Sequence, residues 1–311
     1  MTAISVMIPT FRRPESFLRA ARSVLRQEGL SAPPQLVAVD NSPEKSAARA
    51  FSVLQMESRA PLVLLDEPRP GVANARNVGV SAAAGALVAF LDDDQEAPPG
   101  WLAALAAVQA QTGADAVFGP VQARLPSGAG PHAAYVERLY TRSGPAVSGI
   151  SPRAYGIGNA LLVRDSLLSG AAPFALEANE KGGEDDILFA AAAAAGRRFA
   201  WAADAAVIEH IPPERSSLGY ALKRAFAYGQ SPCETAYAAQ PRQWGAIARH
   251  MGIGAAQATV CGALAGAAFL AGSPHRYWLL DKAVRGAGKA VWWRPQYFYG
   301  EALARQTAPQ Q

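Results

Sequence analysis

The sequence predicts an α/β fold whose first half is a Rossmann-like, nucleotide-binding layer, continued by a mixed sheet and followed by a helical C-terminal segment. Three observations predict it. Short apolar runs alternate with helical patterns from Ile4 to about Ala114. Two acidic clusters, Asp92-Asp93-Asp94 and Glu184-Asp185-Asp186, stand where an apolar strand and a glycine turn need no charge. Beyond them, residues 252–272 carry no formal charge, a stretch of about 21 residues, close to the length that spans a bilayer.

The alternation is read element by element: strand at 4–8, helix at 14–27, strand at 35–39, helix at 47–56, strand at 62–65, helix at 72–83, strand at 86–91 and helix at 101–111. Strands separated by helices imply crossover units and a parallel sheet. The run at 86–91 is short and continuously apolar, as a strand buried on both faces must be. After Asp115 the regularity is lost: 117–124 reads as one longer strand and 126–131 as a Gly/Pro/Ser-rich loop. Strands at 155–164 and 205–208, with a helix at 187–195 between them, are expected to complete the mixed sheet. These readings give a domain at 1–231, with halves 1–117 and 118–231, and a helical region at 232–311.

The 311 residues, half of them apolar, suffice for a large core and exclude a disordered chain. A formal charge of +4 without a long basic tract speaks against nucleic acid as a partner. Cys233 and Cys261 have no metal-ligand spacing and read as reduced thiols. The chain begins in an apolar strand without a basic leader, so no secretory signal is expected. Gln257, Thr259 and many Gly and Ala temper the uncharged C-terminal stretch, while Arg242, Arg249, His250, His275, Arg276 and Lys282 flank it with Trp278, Trp292 and Trp293 nearby. Basic and tryptophan flanks fit a membrane surface, and a buried helical hairpin is the alternative.

Carboxylates at the exit of the 86–91 strand lie at a sheet's carboxyl edge, where open α/β sheets bind ligands. Their hard oxygens suit Mg²⁺ or Mn²⁺ carrying a diphosphate. In Gly182-Gly183-Glu184-Asp185-Asp186 the glycines allow backbone to approach a ligand closely. Acids there are also favoured by a helix dipole, which is the plain structural explanation for one of them.

Four segments occur in order: Ser5-Val6-Met7-Ile8-Pro9-Thr10-Phe11-Arg12-Arg13, Val37-Ala38-Val39-Asp40-Asn41-Ser42, Leu91-Asp92-Asp93-Asp94 and Gly183-Glu184-Asp185-Asp186. With them the chain resembles the inverting family 2 glycosyltransferases of the GT-A fold, over about residues 4–229. The triple Asp followed by Pro98-Pro99-Gly100-Trp101-Leu102, with Gly158-Asn159-Ala160-Leu161-Leu162-Val163, is similar to exopolysaccharide glucosyltransferases of the succinoglycan type.

The resemblance implies roles. Pro9, Thr10, Phe11 and Arg13 close the first strand against the donor, and Asp40 accepts from a uracil N–H; an Asp after a strand is also a common turn or capping residue. Arg76 lies near the nucleotide, where its fork of donors suits a phosphate or base carbonyl. Asp94 coordinates the divalent ion, with His210 near the metal or diphosphate, and Asp92 or Asp93 meets sugar or ribose hydroxyls. Asp185 is the general base and Glu184 orients the acceptor; Gly158, Asn159 and Trp101 shape the acceptor site. The implied reaction is single-displacement transfer from a UDP-sugar, UDP-glucose above others, to a lipid-linked saccharide. Its expected place is the cytoplasmic face of a bacterial inner membrane, under a loop at 209–218 that closes on the donor. A nucleotidyltransferase would need a glycine- and lysine-rich triphosphate loop, which Arg12-Arg13-Pro14 is not. A catalytically silent assembly subunit would be expected to have lost Asp94 or Asp185.

Overall fold

The structure is a computed structural model that describes residues 3–179, 182–294 and 296. The described residues divide into two compact units, one holding those up to Arg124 together with Tyr140–His210, the other Leu125–Leu139 and the described residues from Ile211 onward.

The first unit begins with the expected alternation: β1 (Ile4–Thr10), α1 (Pro14–Leu25), β2 (Gln35–Asp40), α2 (Ala48–Glu57), β3 (Leu62–Asp66), α3 (Val72–Ala82) and β4 (Leu87–Phe90). There follow β5 (Gln95–Glu96), α4 (Trp101–Thr112), β6 (Ala116–Phe118) and β7 (Val121–Arg124). After α5 (Ala133–Tyr140), which falls almost wholly in the second unit, come β8 (Gly149–Ser151), β9 (Ala160–Val163), α6 (Arg164–Leu167), α7 (Glu184–Ala194), β10 (Phe199–Trp201) and β11 (Val207–His210). An eight-stranded mixed sheet runs β3-β2-β1-β4-β9-β6-β10-β8. β1 to β4 are parallel, and β9 is antiparallel to both of its neighbours. Side chains alternate across the pleat, so Val6, Ile8, Leu36 and Ala38 pack with Phe17, Leu54 and Trp101 on one face. Met7, Val37, Val39 and Phe90 pack with Ala73, Val80 and Phe189 on the other.

Strand order reverses between β1 and β4, and such a switch point opens a crevice at the strands' carboxyl ends. Met7 pairs with Phe90 in register, so three residues farther on Thr10 and Asp93 arrive side by side.

Two expected strands are placed differently. The run at 117–124 breaks at Gly119-Pro120 into β6 and β7. Proline lacks the N–H a ladder needs, and the Pro120 carbonyl accepts from Val207 N–H and from the Asn159 side chain instead. β7 thereby leaves the large sheet for a three-stranded one ordered β5-β11-β7. The strand expected at 205–208 to complete the large sheet is β11 of this small sheet. The strand expected at 155–164 is ordered as β9 only from Ala160, after a loop at 156–159.

In the second unit, α8 (Leu218–Ala238), α9 (Trp244–Leu270) and α10 (Arg276–Ala290) pack together. Glycines make the crossings close: a Cβ at Gly254 would lie 2.7 Å from the Gly286 carbonyl oxygen. Tyr135 Oη donates to Asp281 Oδ1 at 2.8 Å, and Arg285 closes the same carboxylate at 2.7 Å. The cut expected at 231/232 falls inside α8, of which Pro232 is an interior residue.

Candidate active site

The site is built at the carboxyl ends of β1 and β4. Thr10 Oγ1 donates to Asp93 Oδ2 at 2.9 Å, and Arg13 Nη1 reaches Asp93 Oδ1 at 3.0 Å and Asp94 Oδ2 at 3.1 Å. Thr10 and Arg13 therefore meet the triple Asp directly. Pro9 pairs with Val39 across β1 and β2, while Phe11 lies half-buried under the Arg12 guanidinium.

Burial beside Asp94 and Asp92 pushes the Asp93 carboxyl up to about 6, against the opposing pull of Arg13 and the Thr10 hydroxyl. Burial, with Asp94 and Asp185 as like charges, also raises Asp92, while Arg76 and Arg142 oppose the shift. Negative charge is thus in excess around the triplet.

From α3, Arg76 joins the two acidic clusters. It is 6% exposed, pairs with Glu184 through Nη1 and reaches Asp92 Oδ1 with Nη2 at 3.4 Å. Its Nε–H is buried without a hydrogen-bond partner, which leaves one donor unspent. Glu184 and Asp185 open α7, after Gly183 in the left-handed conformation at φ +87°, a turn that favours glycine. Asp185 Oδ2 accepts from Ile157 N–H at 3.0 Å and its Oδ1 from Asp186 N–H at 3.0 Å.

Gly158 lies against Asp92, because a Cβ there would collide with Asp92 Oδ2. The loop that carries it is tied down by Arg142, a residue the sequence reading passed over. Arg142 donates to the carbonyls of Gly156 and Gly158, to Asn159 at 3.1 Å and to Gly119 at 3.1 Å. Burial lowers its pKa to about 10, with Asp92 and Asp185 among the charges that hold it up. No motif surrounds Arg142 to signal this role.

Four expected site residues are hydrogen-bonded within the fold. Asp40 is fully buried: its Oδ1 accepts from Ser42 N–H at 2.9 Å and Ser42 Oγ at 2.7 Å, and its Oδ2 from Ala47 N–H at 2.6 Å. That is the turn-and-cap role. Trp101 and Asn159 bind each other. Trp101 Nε1 donates to Asn159 Oδ1 at 2.7 Å, and Asn159 Nδ2 donates to the Pro120 and Ala205 carbonyls at 2.7 and 2.8 Å. Both are buried, and Asn159, at φ +68°, is a structural corner between the two sheets. His210 donates its backbone N–H to the Asp94 carbonyl at 2.8 Å, while its ring Nε2 lies 3.0 Å from Glu96 Oε2.

Among the described residues no cluster of three or more His, Cys, Asp or Glu side chains could hold an ion unaided. The donor chemistry still fits a hard cation. Asp93 and Asp94 share the single Arg13 guanidinium, and Mg²⁺ or Mn²⁺ with a diphosphate needs only one or two protein oxygens.

A sequence model described as Glycosyl transferase family 2 matches residues 5–168. The succinoglycan biosynthesis protein ExoM of Rhizobium meliloti (strain 1021) is 33% identical over 238 residues, 73% of each chain. Among solved structures, the mannosyltransferase PcManGT from Pyrobaculum calidifontis, in complex with GDP-Man and Mn²⁺, superposes with a TM-score of 0.63. It is 20% identical, over 94% of this chain and 88% of that one. GalNAc-T7 with UDP, GalNAc and Mn²⁺ superposes with a TM-score of 0.56 at 17% identity, over 80% of this chain and 54% of that one.

Proposed function

The chain belongs to glycosyl transferase family 2, as an enzyme of the GT-A fold that uses a nucleotide-sugar donor, and from that premise we propose that it moves glucose from UDP-glucose to a lipid-linked saccharide with inversion. The observation that carries the reading is Arg76, which holds Asp92 of the donor-side cluster and Glu184 of the acceptor-side cluster in one buried constellation beside Asp185. The likeness to ExoM, named for succinoglycan biosynthesis, supports a polysaccharide intermediate as acceptor.

In this reading Asp185 takes the proton of the acceptor hydroxyl as its oxygen bonds to the anomeric carbon, and the bond from that carbon to the diphosphate oxygen breaks. The Ile157 N–H holds the Asp185 carboxylate in place for this transfer. Glu184, fixed by Arg76, borders the acceptor. Asp94 holds the divalent ion, with Asp92 and Asp93 toward ribose or sugar hydroxyls and Arg13 toward the phosphates. When bound, Mg²⁺ or Mn²⁺ offsets the charge that develops on the departing diphosphate. Orienting both reactants between the two clusters lowers the entropic part of the barrier.

The membrane surface is the proposed partner of α9. Its 27 residues include a window of mean hydropathy 1.6 that is only 17% buried, with Ile253, Val260, Leu264 and Leu270 exposed. α10 packs along it with Lys289 Nζ donating to Gln257 Oε1 at 2.8 Å, so a transbilayer α9 would take that lysine into hydrocarbon. Peripheral attachment at the cytoplasmic face avoids that cost.

Calorimetric titration with UDP and with GDP, each with and without Mn²⁺, tests the donor site. Metal-dependent binding of UDP is expected. Binding of GDP in its place overturns the uridine reading, and binding of neither overturns the donor site as drawn.

A further inference from the structure

The carboxylate proposed as the base is held by a peptide unit whose other end is gripped from behind. Ile157 N–H donates to Asp185 Oδ2 at 3.0 Å, and the Gly156 carbonyl of the same peptide accepts from Arg142 Nη1. A trans peptide is planar, with its N–H and C=O pointing in opposite directions, so fixing one end fixes the other. We propose that Arg142 is a positioning residue that clamps the Gly156–Ile157 peptide with its N–H toward Asp185, and so sets the orientation of the base without touching substrate. The inference rests on the transferase reading above and deepens it.

The rest of the guanidinium makes the clamp rigid. Nη2 takes the Gly158 carbonyl and the Asn159 carbonyl at 3.1 Å, and Nε takes the Gly119 carbonyl at 3.1 Å, at the break where β6 gives way to β7. One planar fork thus ties the 156–159 loop to the frame of both sheets. The Asn159 N–H on the far side of the Gly158 peptide donates to the Phe90 carbonyl at 3.0 Å, at the end of β4. Arg142 therefore reaches both sides of the site: through Ile157 to Asp185, and through Gly158 to the surface on which Asp92 rests.

Without Arg142 the Gly156 carbonyl loses its guanidinium donor, and glycine lets the peptide rotate. A rotated peptide would turn its carbonyl toward Asp185, where two acceptors repel, and the carboxylate would leave its position. Donor contacts made by Arg13, Asp93 and Asp94 lie on other elements and would stay, and the Gly158–Asn159 peptide that backs Asp92 is still held by the Asn159 N–H on the Phe90 carbonyl.

The test compares wild type with Arg142→Ala and Arg142→Lys. In Arg142→Ala, kcat should fall about tenfold or more while the affinity for UDP with Mn²⁺ stays within about threefold, the pattern of a misplaced reacting group. Hydrogen exchange at the Ile157 amide should accelerate in step, and millimolar guanidinium ion should restore part of kcat. A purely structural loss would not be rescued in that way. Arg142→Lys retains the charge on a point-like head that cannot reach four carbonyls, so it should show the same pattern in milder form and serves if the alanine variant does not fold. An unchanged kcat overturns the inference, and so does a fall in kcat with Ile157 exchange unaltered. Wild-type protein that turns over no UDP-sugar, while Ile157 exchange still answers to Arg142, overturns the transferase reading but supports the clamp.

Discussion

Arg76 and Glu184 form an ion pair in which both side chains are buried, although 108 residues separate them in the chain. Removing one partner leaves the other charge buried and uncompensated, which costs about 3–5 kcal/mol. Arg76→Met is expected to be strongly destabilised in urea unfolding. Arg76→Met with Glu184→Leu is expected to regain most of that stability but no activity, because the second substitution removes the stranded charge without replacing the Arg76 contact to Asp92.

Gly158→Ala places a methyl group against Asp92 Oδ2 and 3.2 Å from Gln95 Nε2. Asp92 must move, so turnover is expected to fall by about tenfold while the melting temperature changes little. Steady-state kinetics beside a thermal melt checks this. Equal losses of stability and turnover would show that the whole strand end, rather than Asp92, had shifted.

Trp101→Phe removes the indole N–H that satisfies Asn159 Oδ1 in a dry corner of the fold. An unsatisfied buried acceptor costs about 1–3 kcal/mol. Stability is expected to fall by that amount with the KM for acceptor unchanged; a raised acceptor KM at unchanged stability would return Trp101 to the acceptor site.

Asp93 supplies a pH dependence whose sign follows from its raised pKa. The folded protein holds the proton up to about 6 and the unfolded chain releases it near 3.8, so the folded state loses stability as pH rises between those values. Asp93→Asn keeps an oxygen for Thr10 and removes the charge. Its stability relative to wild type is therefore expected to increase between pH 4 and pH 7, by on the order of 1–2 kcal/mol. Mn²⁺ with UDP is expected to stabilise wild type more than this variant, and melts at the two pH values with and without ligand measure both effects.

The β1-to-β4 half was legible because each of its elements carries its own period: continuous apolar strands, amphipathic helices and glycine or proline turns between them. What was hidden depends on chain that is distant in sequence. That 117–124 would feed two sheets follows from how Pro120 is paired by Val207 and Asn159, contacts no local pattern reveals. The acidic clusters announced themselves as charges in apolar surroundings. Arg142 did not, since an isolated arginine beside Gly144 looks like a solvated loop residue until its four carbonyl partners are assembled. For Asp40 the turn-and-cap role was the plain alternative from the start, whereas the bond between Trp101 and Asn159 joins residues 58 apart in sequence and has no local signal.

The decisive measurement is UDP release from UDP-glucose, with Mn²⁺ and a lipid-linked saccharide, by wild type and by Asp185→Asn. Wild type is expected to turn over with inversion at the anomeric carbon. Asp185→Asn is expected to lose about two to four orders of magnitude in kcat while binding UDP as tightly as wild type. Equal turnover by the two proteins would contradict the assignment of Asp185 as the base and the mechanism built on it.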